Sequence, residues 1–270
     1  MVIENIVVGR LAGLLNTLTV DAGTNPVQEV LLYVLIPMAA IVAGSIAATF
    51  LSPGPTIRSC IQHFAAGVVF YAVAVELLPS VIREKAPLQV VIGFSAGVAL
   101  MLAVRWFTQK IGGEGGQGKK EQEEGPNQTL SLVVVVGLDL LIDGGLIGLG
   151  FAVGAKEGLL LTIALTIEIL FLGLSVTSAL SRAGVLPGRA IAINIGLALL
   201  IGLGGVIGAT LLGGLSGPAL EVVLSFGVAA LLYLVTEELL VEAHEEPETP
   251  LTTTTFFAGF LLFLIIGLLA

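Results

Sequence analysis

Charged residues make up only 11% of the 270-residue chain, whereas soluble domains carry about a quarter. A water-facing surface cannot be clothed from so few, which excludes a soluble enzyme. There is one cysteine, Cys60, so a disulfide scaffold and a Cys-based metal cluster are excluded as well. Two histidines, His63 and His244, are too few for a His-rich metal site. Bases are also scarce: 11 Lys and Arg stand against 20 Asp and Glu, giving a formal net charge of -9. No nucleic-acid partner is expected. The chain is rich in apolar residues instead. Of its residues 56% are hydrophobic, 35 are glycine, and the mean hydropathy is +1.06. Glycine lets membrane helices approach closely. The informative question is where the acids lie, because an acid inside a bilayer is costly and marks a functional site by default.

A helix crossing a bilayer needs roughly 20 apolar residues. Eight such stretches are present, at about 28–51, 61–82, 87–107, 130–154, 157–181, 189–213, 219–241 and 251–270, with prolines punctuating the connections. The fold class expected is an all-α integral membrane protein of eight transmembrane helices, with residues 28–270 as one membrane domain. The apolar runs are too long and too continuous for the alternating strands of a β-barrel. Residues 1–27 are expected to hold an amphipathic segment lying in the interface, in preference to a signal peptide, since a basic start and a small-residue cleavage site are lacking. Residues 111–129, the one long polar stretch, read as a flexible loop. Lys and Arg in the short connections favour the side of the second, fourth, sixth and eighth span starts, seven against four. That bias predicts both termini outside, and the expected location is a bacterial or archaeal inner membrane.

Spans two and seven share a pattern. Phe64 and Phe226, Tyr71 and Tyr233, Val73 and Val235, and Glu76-Leu77-Leu78 and Glu238-Leu239-Leu240 all stand at one constant offset along the chain. An even-numbered and an odd-numbered span cross in opposite directions. The pattern therefore predicts an inverted repeat of spans 1–3 and 6–8 around spans 4–5, an arrangement common in secondary transporters.

Span four contains Asp139 and Asp143, spaced i, i+4, so both carboxylates leave one helix face. Both stand near the middle of the span by helix rise. Span five carries Glu168 centrally. No Lys or Arg lies within these spans to neutralise the three, and Arg182 and Arg189 are at span ends. Two carboxylates so close in a low-dielectric setting cannot both stay charged unless a cation or proton compensates. Asp139, Asp143 and Glu168 are therefore the candidate metal ligands, suited to hard or borderline divalent ions. Gly144, Gly145, Gly148 and Gly150, with Gly173 opposite, are expected to let spans four and five pack closely. Glu76 and Glu238 are candidate gating residues at opposite span ends, and Asn194 in span six is a secondary candidate. His63 and His244 read as water-facing residues at span ends, and the acidic 242–248 run as solvated.

On these residues the chain resembles the ZIP family of zinc- and iron-regulated-type metal transporters. The resemblance covers nearly everything after residue 28. It rests on the eight spans, the polar loop between spans three and four, the run Phe64-Ala-Ala-Gly67 with Glu76-Leu-Leu-Pro79, and Tyr233 to His244. Asp139 to Gly144 falls where the family has His-Asn-x-Pro-Glu-Gly, and Glu168 to Gly173 where it has a second such motif. Asp139 then stands in place of a His and Asp143 in place of a Glu. Leu140, Ile169 and Leu172 replace other family ligands, Ile142 and Phe171 replace prolines, and Gly205 falls where the sixth span often has a Glu. The resemblance thus implies an all-carboxylate site for one transported divalent ion, with no resident cofactor and no enzymatic activity. It also implies alternating access between two groups of spans and a homodimer. The expected function is import of a divalent metal ion across the lipid bilayer. The alternatives are a ZIP-derived membrane protein that binds ions without transporting them, and a proton-coupled exchanger.

Overall fold

The structure, a computed structural model, describes residues 26–50, 54–83, 85–112, 126–212 and 214–269. Among these residues every regular element is helical. Eight helices are long and apolar enough to cross a membrane: α1 (Val27–Ala48), α2 (Pro55–Arg83), α3 (Pro87–Lys110), α4 (Thr129–Val153), α5 (Ala155–Arg182), α6 (Pro187–Leu212), α7 (Pro218–Ala243) and α8 (Pro250–Leu268). The architecture is consistent with an integral membrane protein.

Local chemistry explains the boundaries. Seven of the eight helices start on a proline, those of α1 and α4 at Pro26 and Pro126 just ahead of the apolar spans, and the missing N–H costs nothing in the first turn while the fixed φ suits it. Pro37 lies inside α1, where its ring crowds the Tyr33 carbonyl, and the helix is interrupted at Val34. Helix α2 begins at Pro55, earlier than the expected 61. Its first turns are polar, but they are covered by α7: the Ser59 hydroxyl donates to the Ala243 carbonyl at 2.8 Å, and Arg58 pairs with Glu242 at 2.9 Å. The polar loop is shorter than expected, because the helix of α3 continues to Gly112 and that of α4 starts at Pro126. The remainder of that loop, and all but the last two residues of the amphipathic segment expected at 1–27, lie outside the described residues.

Helices α4 and α5 form a hairpin whose connection is the single residue Gly154. Helix α5 ends in a glycine cap. Gly184 takes a φ of 77°, and the Val185 N–H reaches back to the Leu180 carbonyl at 2.9 Å. The broadest packing is pairwise: α4 on α6, α1 on α5, α3 on α7, and α2 on α8. The α4–α6 seam is backbone against backbone. A Cβ on Gly144 would overlap the Ile201 carbonyl oxygen, and one on Gly204 would overlap the Leu141 carbonyl oxygen. Helices α3 and α8 are the least enclosed, as peripheral membrane helices are.

Two helices carry a wider turn. Residues Ala72–Leu77 of α2 and Leu234–Leu239 of α7 are π-helical. Each segment follows a tyrosine and has a glutamate, Glu76 or Glu238, as its fifth residue. They stand at the same offset along the chain as the sequence pattern does. Such bulges are frequent at functional sites.

Candidate cation site

The α4–α5 hairpin brings the three mid-span acids together. Asp139 and Glu168 lie almost equally far from the Gly154 turn, one before it and one after, so the two stand at the same height in an antiparallel pair. Asp143 is one helical turn from Asp139 on the same face. One carboxylate oxygen from each of the three lies within 4.8 Å of the other two. Asp143 is 1% exposed and Glu168 6%. Asp143 Oδ2 and Glu168 Oε2 have no hydrogen-bond partner. The ion pairs seen among the described residues are made by other side chains. Buried polar atoms are ordinarily satisfied, and buried charges are ordinarily paired. An orphaned trio of this kind fits a cation with oxygen ligands, or shared protons.

A cavity of about 80 Å³ reaches this cluster. Asp139, Glu168, Gln62, Ser175, Glu238 and Glu242 provide its polar lining. Glu242 is the next-to-last residue of α7 and is 40% exposed at its side chain, so the cavity runs from mid-bundle toward the end that bears residues 183–186. Beyond Asp143 toward the Gly154 end, α4 buries Leu146, Ile147, Leu149 and Phe151, and Phe151 stacks on Tyr33 with ring centroids 5.2 Å apart. The acids are thus reached from one end and sealed by apolar side chains at the other.

The other candidates divide. Glu238 joins the cavity, and Glu242, i+4 from it, presents the same face of α7. Glu76 sits near the opposite end of the bundle, where the Tyr71 hydroxyl donates to its Oε1 at 3.0 Å beside Gly267 on α8. Asn194 is a cross-link between helices. Its Nδ2 donates to Ser45 of α1 at 3.2 Å, Thr177 of α5 at 3.0 Å and the Ala190 carbonyl at 3.0 Å, while Ser45 and Thr177 bond each other at 2.6 Å.

Three sequence expectations need correction. His63 is buried, 3% exposed, with Nδ1 2.9 Å from the Ser59 carbonyl and its ring edge-to-face against His244, because α7 covers the first turns of α2. Glycines Gly144, Gly145 and Gly148 seat α4 on α6, and Gly173 seats α5 on Ile41 of α1. Of the group, Gly150 is the one that meets α5, at Gly158. The 242–248 run is not uniformly solvated, since Glu242 lines the cavity and pairs with Arg58. Gln62 is a site residue that the sequence does not single out. The i, i+4 spacing of Glu238 and Glu242 is the available signal for the α7 wall, the same one that exposes Asp139 and Asp143. A scan against models of known protein families finds no match to the chain, and a search of curated proteins finds none either.

Proposed function

We propose that the protein is a ZIP-like transporter that moves a divalent metal ion across a cell membrane by alternating access, with Asp139, Asp143 and Glu168 as the mid-membrane ligands. The observation that carries this reading is the orphaned acid trio: two of its three members are buried, oxygens on both lack partners, and the ion pairs among the described residues leave all three out. Oxygen-only ligands suit hard or borderline ions such as Mn2+, Fe2+ or Zn2+. Cytosolic exit follows from the positive-inside bias, which assigns the 183–186 end to the cytosol and both termini to the outside. In this reading the cavity faces the cytosol and the apolar seal faces outward.

An inverted repeat of α1–α3 and α6–α8 around α4–α5 is part of the same proposal. The two π-helical segments support it by their shared offset and shared Tyr-x4-Glu pattern. The packing supports it as well. Exchanging α1 with α6, α2 with α7, α3 with α8 and α4 with α5 turns the α1–α5 pair into α6–α4, and the α2–α8 pair into α7–α3. A fold that can exchange its halves in this way has a built-in second state, open at the other end.

The test is flux into lipid vesicles. Wild-type protein should admit Mn2+ or Zn2+, and Asp143→Asn should abolish entry while keeping the size-exclusion profile of the folded protein. Entry undiminished in Asp143→Asn would sink the proposal. Binding with no flux in the wild type would replace it with an ion-binding regulator.

A further inference from the structure

We propose a second cation subsite at the mouth of the cavity, formed by the Gln62 amide oxygen of α2 with the carboxylates of Glu238 and Glu242 on α7. It deepens the transport reading and rests on it for direction alone, since occupancy can be measured without flux. Gln62 is 6% exposed, and its Oε1 has no hydrogen-bond partner, yet the residue lines a polar cavity. A buried amide oxygen left unpaired loses its hydration and gains nothing in exchange. The polar lining around it is mostly acidic: the Ser175 hydroxyl is its one neutral donor, and that hydroxyl makes no hydrogen bond to Gln62 Oε1. A cation with oxygen ligands meets an amide oxygen and two carboxylates at once, taking at Glu242 the place that Arg58 now holds.

The chemistry of the donors defines the ligand class. Two carboxylates and a neutral amide oxygen form an oxygen-only set without nitrogen or sulfur, which favours Mn2+, Mg2+ or Ca2+ over soft ions. The cavity of about 80 Å³ exceeds the roughly 10–15 Å³ that one water requires. An ion can therefore be held there with part of its hydration shell. The site also has an exchangeable plug. Arg58 Nη2 lies 2.9 Å from Glu242 Oε1 and 3.4 Å from Glu245 Oε2. A cation arriving at Glu242 displaces the guanidinium, which keeps Glu245 as its partner. The subsite differs from the inner one in which residues it needs: Asp143 does not line the cavity, and Gln62, Glu238 and Glu242 are outside the close trio.

The experiment is Mn2+ binding to the full-length protein in lipid nanodiscs, with free Mn2+ read by electron paramagnetic resonance. Wild-type protein should bind two ions. At free Mn2+ near the wild-type Kd, Gln62→Leu and Glu238→Gln should each lose this ion, and Asp143→Asn should lose the other ion and keep this one. Gln62→Glu, which adds a charge at nearly constant volume, should retain two ions and tighten the outer one by on the order of tenfold. A merely structural role for Gln62 would not give that gain. The subsite is overturned if Gln62→Leu and Glu238→Gln both bind as wild type does, or if Gln62→Glu leaves affinity unchanged. If the wild type binds one ion, lost in Asp143→Asn and indifferent to Gln62→Leu, the subsite falls and the inner site stands. If Asp143→Asn keeps both ions while Gln62→Leu loses one, the inner site falls and the subsite stands.

Discussion

Replacing Asp143 by asparagine should leave the apo protein at least as stable as wild type and remove most of the stabilisation that Mn2+ at the inner site provides. At 4.8 Å and an effective dielectric of about 20, two unit charges repel by about 3.5 kcal/mol. Three charged members make three such pairs, a repulsion on the order of 10 kcal/mol that a divalent ion or bound protons must offset. Asp143 takes part in two of the three pairs. Its neutralisation therefore removes about two thirds of that latent repulsion, at almost no change in volume. The same change deletes one of three anionic ligands. Losing one partner of a buried charge interaction costs about 2–5 kcal/mol, and a loss of about 2 kcal/mol weakens binding roughly 30-fold. Free Mn2+ at about 100 times the wild-type Kd stabilises wild type by about 2.7 kcal/mol, but a variant binding roughly 30-fold more weakly by only about 0.9 kcal/mol. Chemical denaturation in mild detergent, with and without Mn2+, reads both quantities. Because carboxylates must shed protons to bind a metal, the wild-type gain should shrink as pH is lowered. A variant destabilised without metal, yet stabilised by Mn2+ as much as wild type, would refute the reasoning.

Three further outcomes follow from the packing. Gly204→Ala drives a Cβ into the Leu141 carbonyl oxygen, on the α4 stretch between the two aspartates. It should cost roughly 1–3 kcal/mol and weaken Mn2+ binding by displacing α4, read by denaturation and titration together. Asn194→Leu breaks the link to Ser45 and Thr177 and should cost about 1 kcal/mol, with Mn2+ affinity held within about twofold. A large loss of affinity would instead make Asn194 a ligand. In a Cys60→Ser background, Ser175→Cys should react with a membrane-impermeant maleimide from the 183–186 end only, and Mn2+ should slow the reaction. Equal labelling from both ends would contradict a one-sided cavity.

Much of this arrangement is legible in the sequence, because a bilayer imposes few options. Eight long apolar runs give eight helices, and prolines mark seven of their starts. The acid trio is legible too: Asp139 and Asp143 share a face by their spacing, and the short link at Gly154 sets Glu168 opposite them. Tertiary covering is harder to read. The start of α2 before residue 61 looks like a loop because Thr56, Arg58 and Ser59 are polar, and nothing local says that α7 will cover Arg58 and Ser59. The glycines advertise close approach but not the partner. Gly144 chooses Ile201 of α6 over α5, a decision made by the whole bundle. Glu76 and Glu238 have the same local pattern yet different surroundings, since Glu238 joins the cavity while Glu76 faces Tyr71 and Gly267.

The most direct test of the central claim is an anomalous-scattering map of the protein crystallised with Mn2+. A peak bounded by carboxylate oxygens of Asp139, Asp143 and Glu168 is expected, and at Mn2+ near the wild-type Kd it should be absent from Asp143→Asn. A well-ordered trio with no peak between its carboxylates at saturating Mn2+ would contradict it.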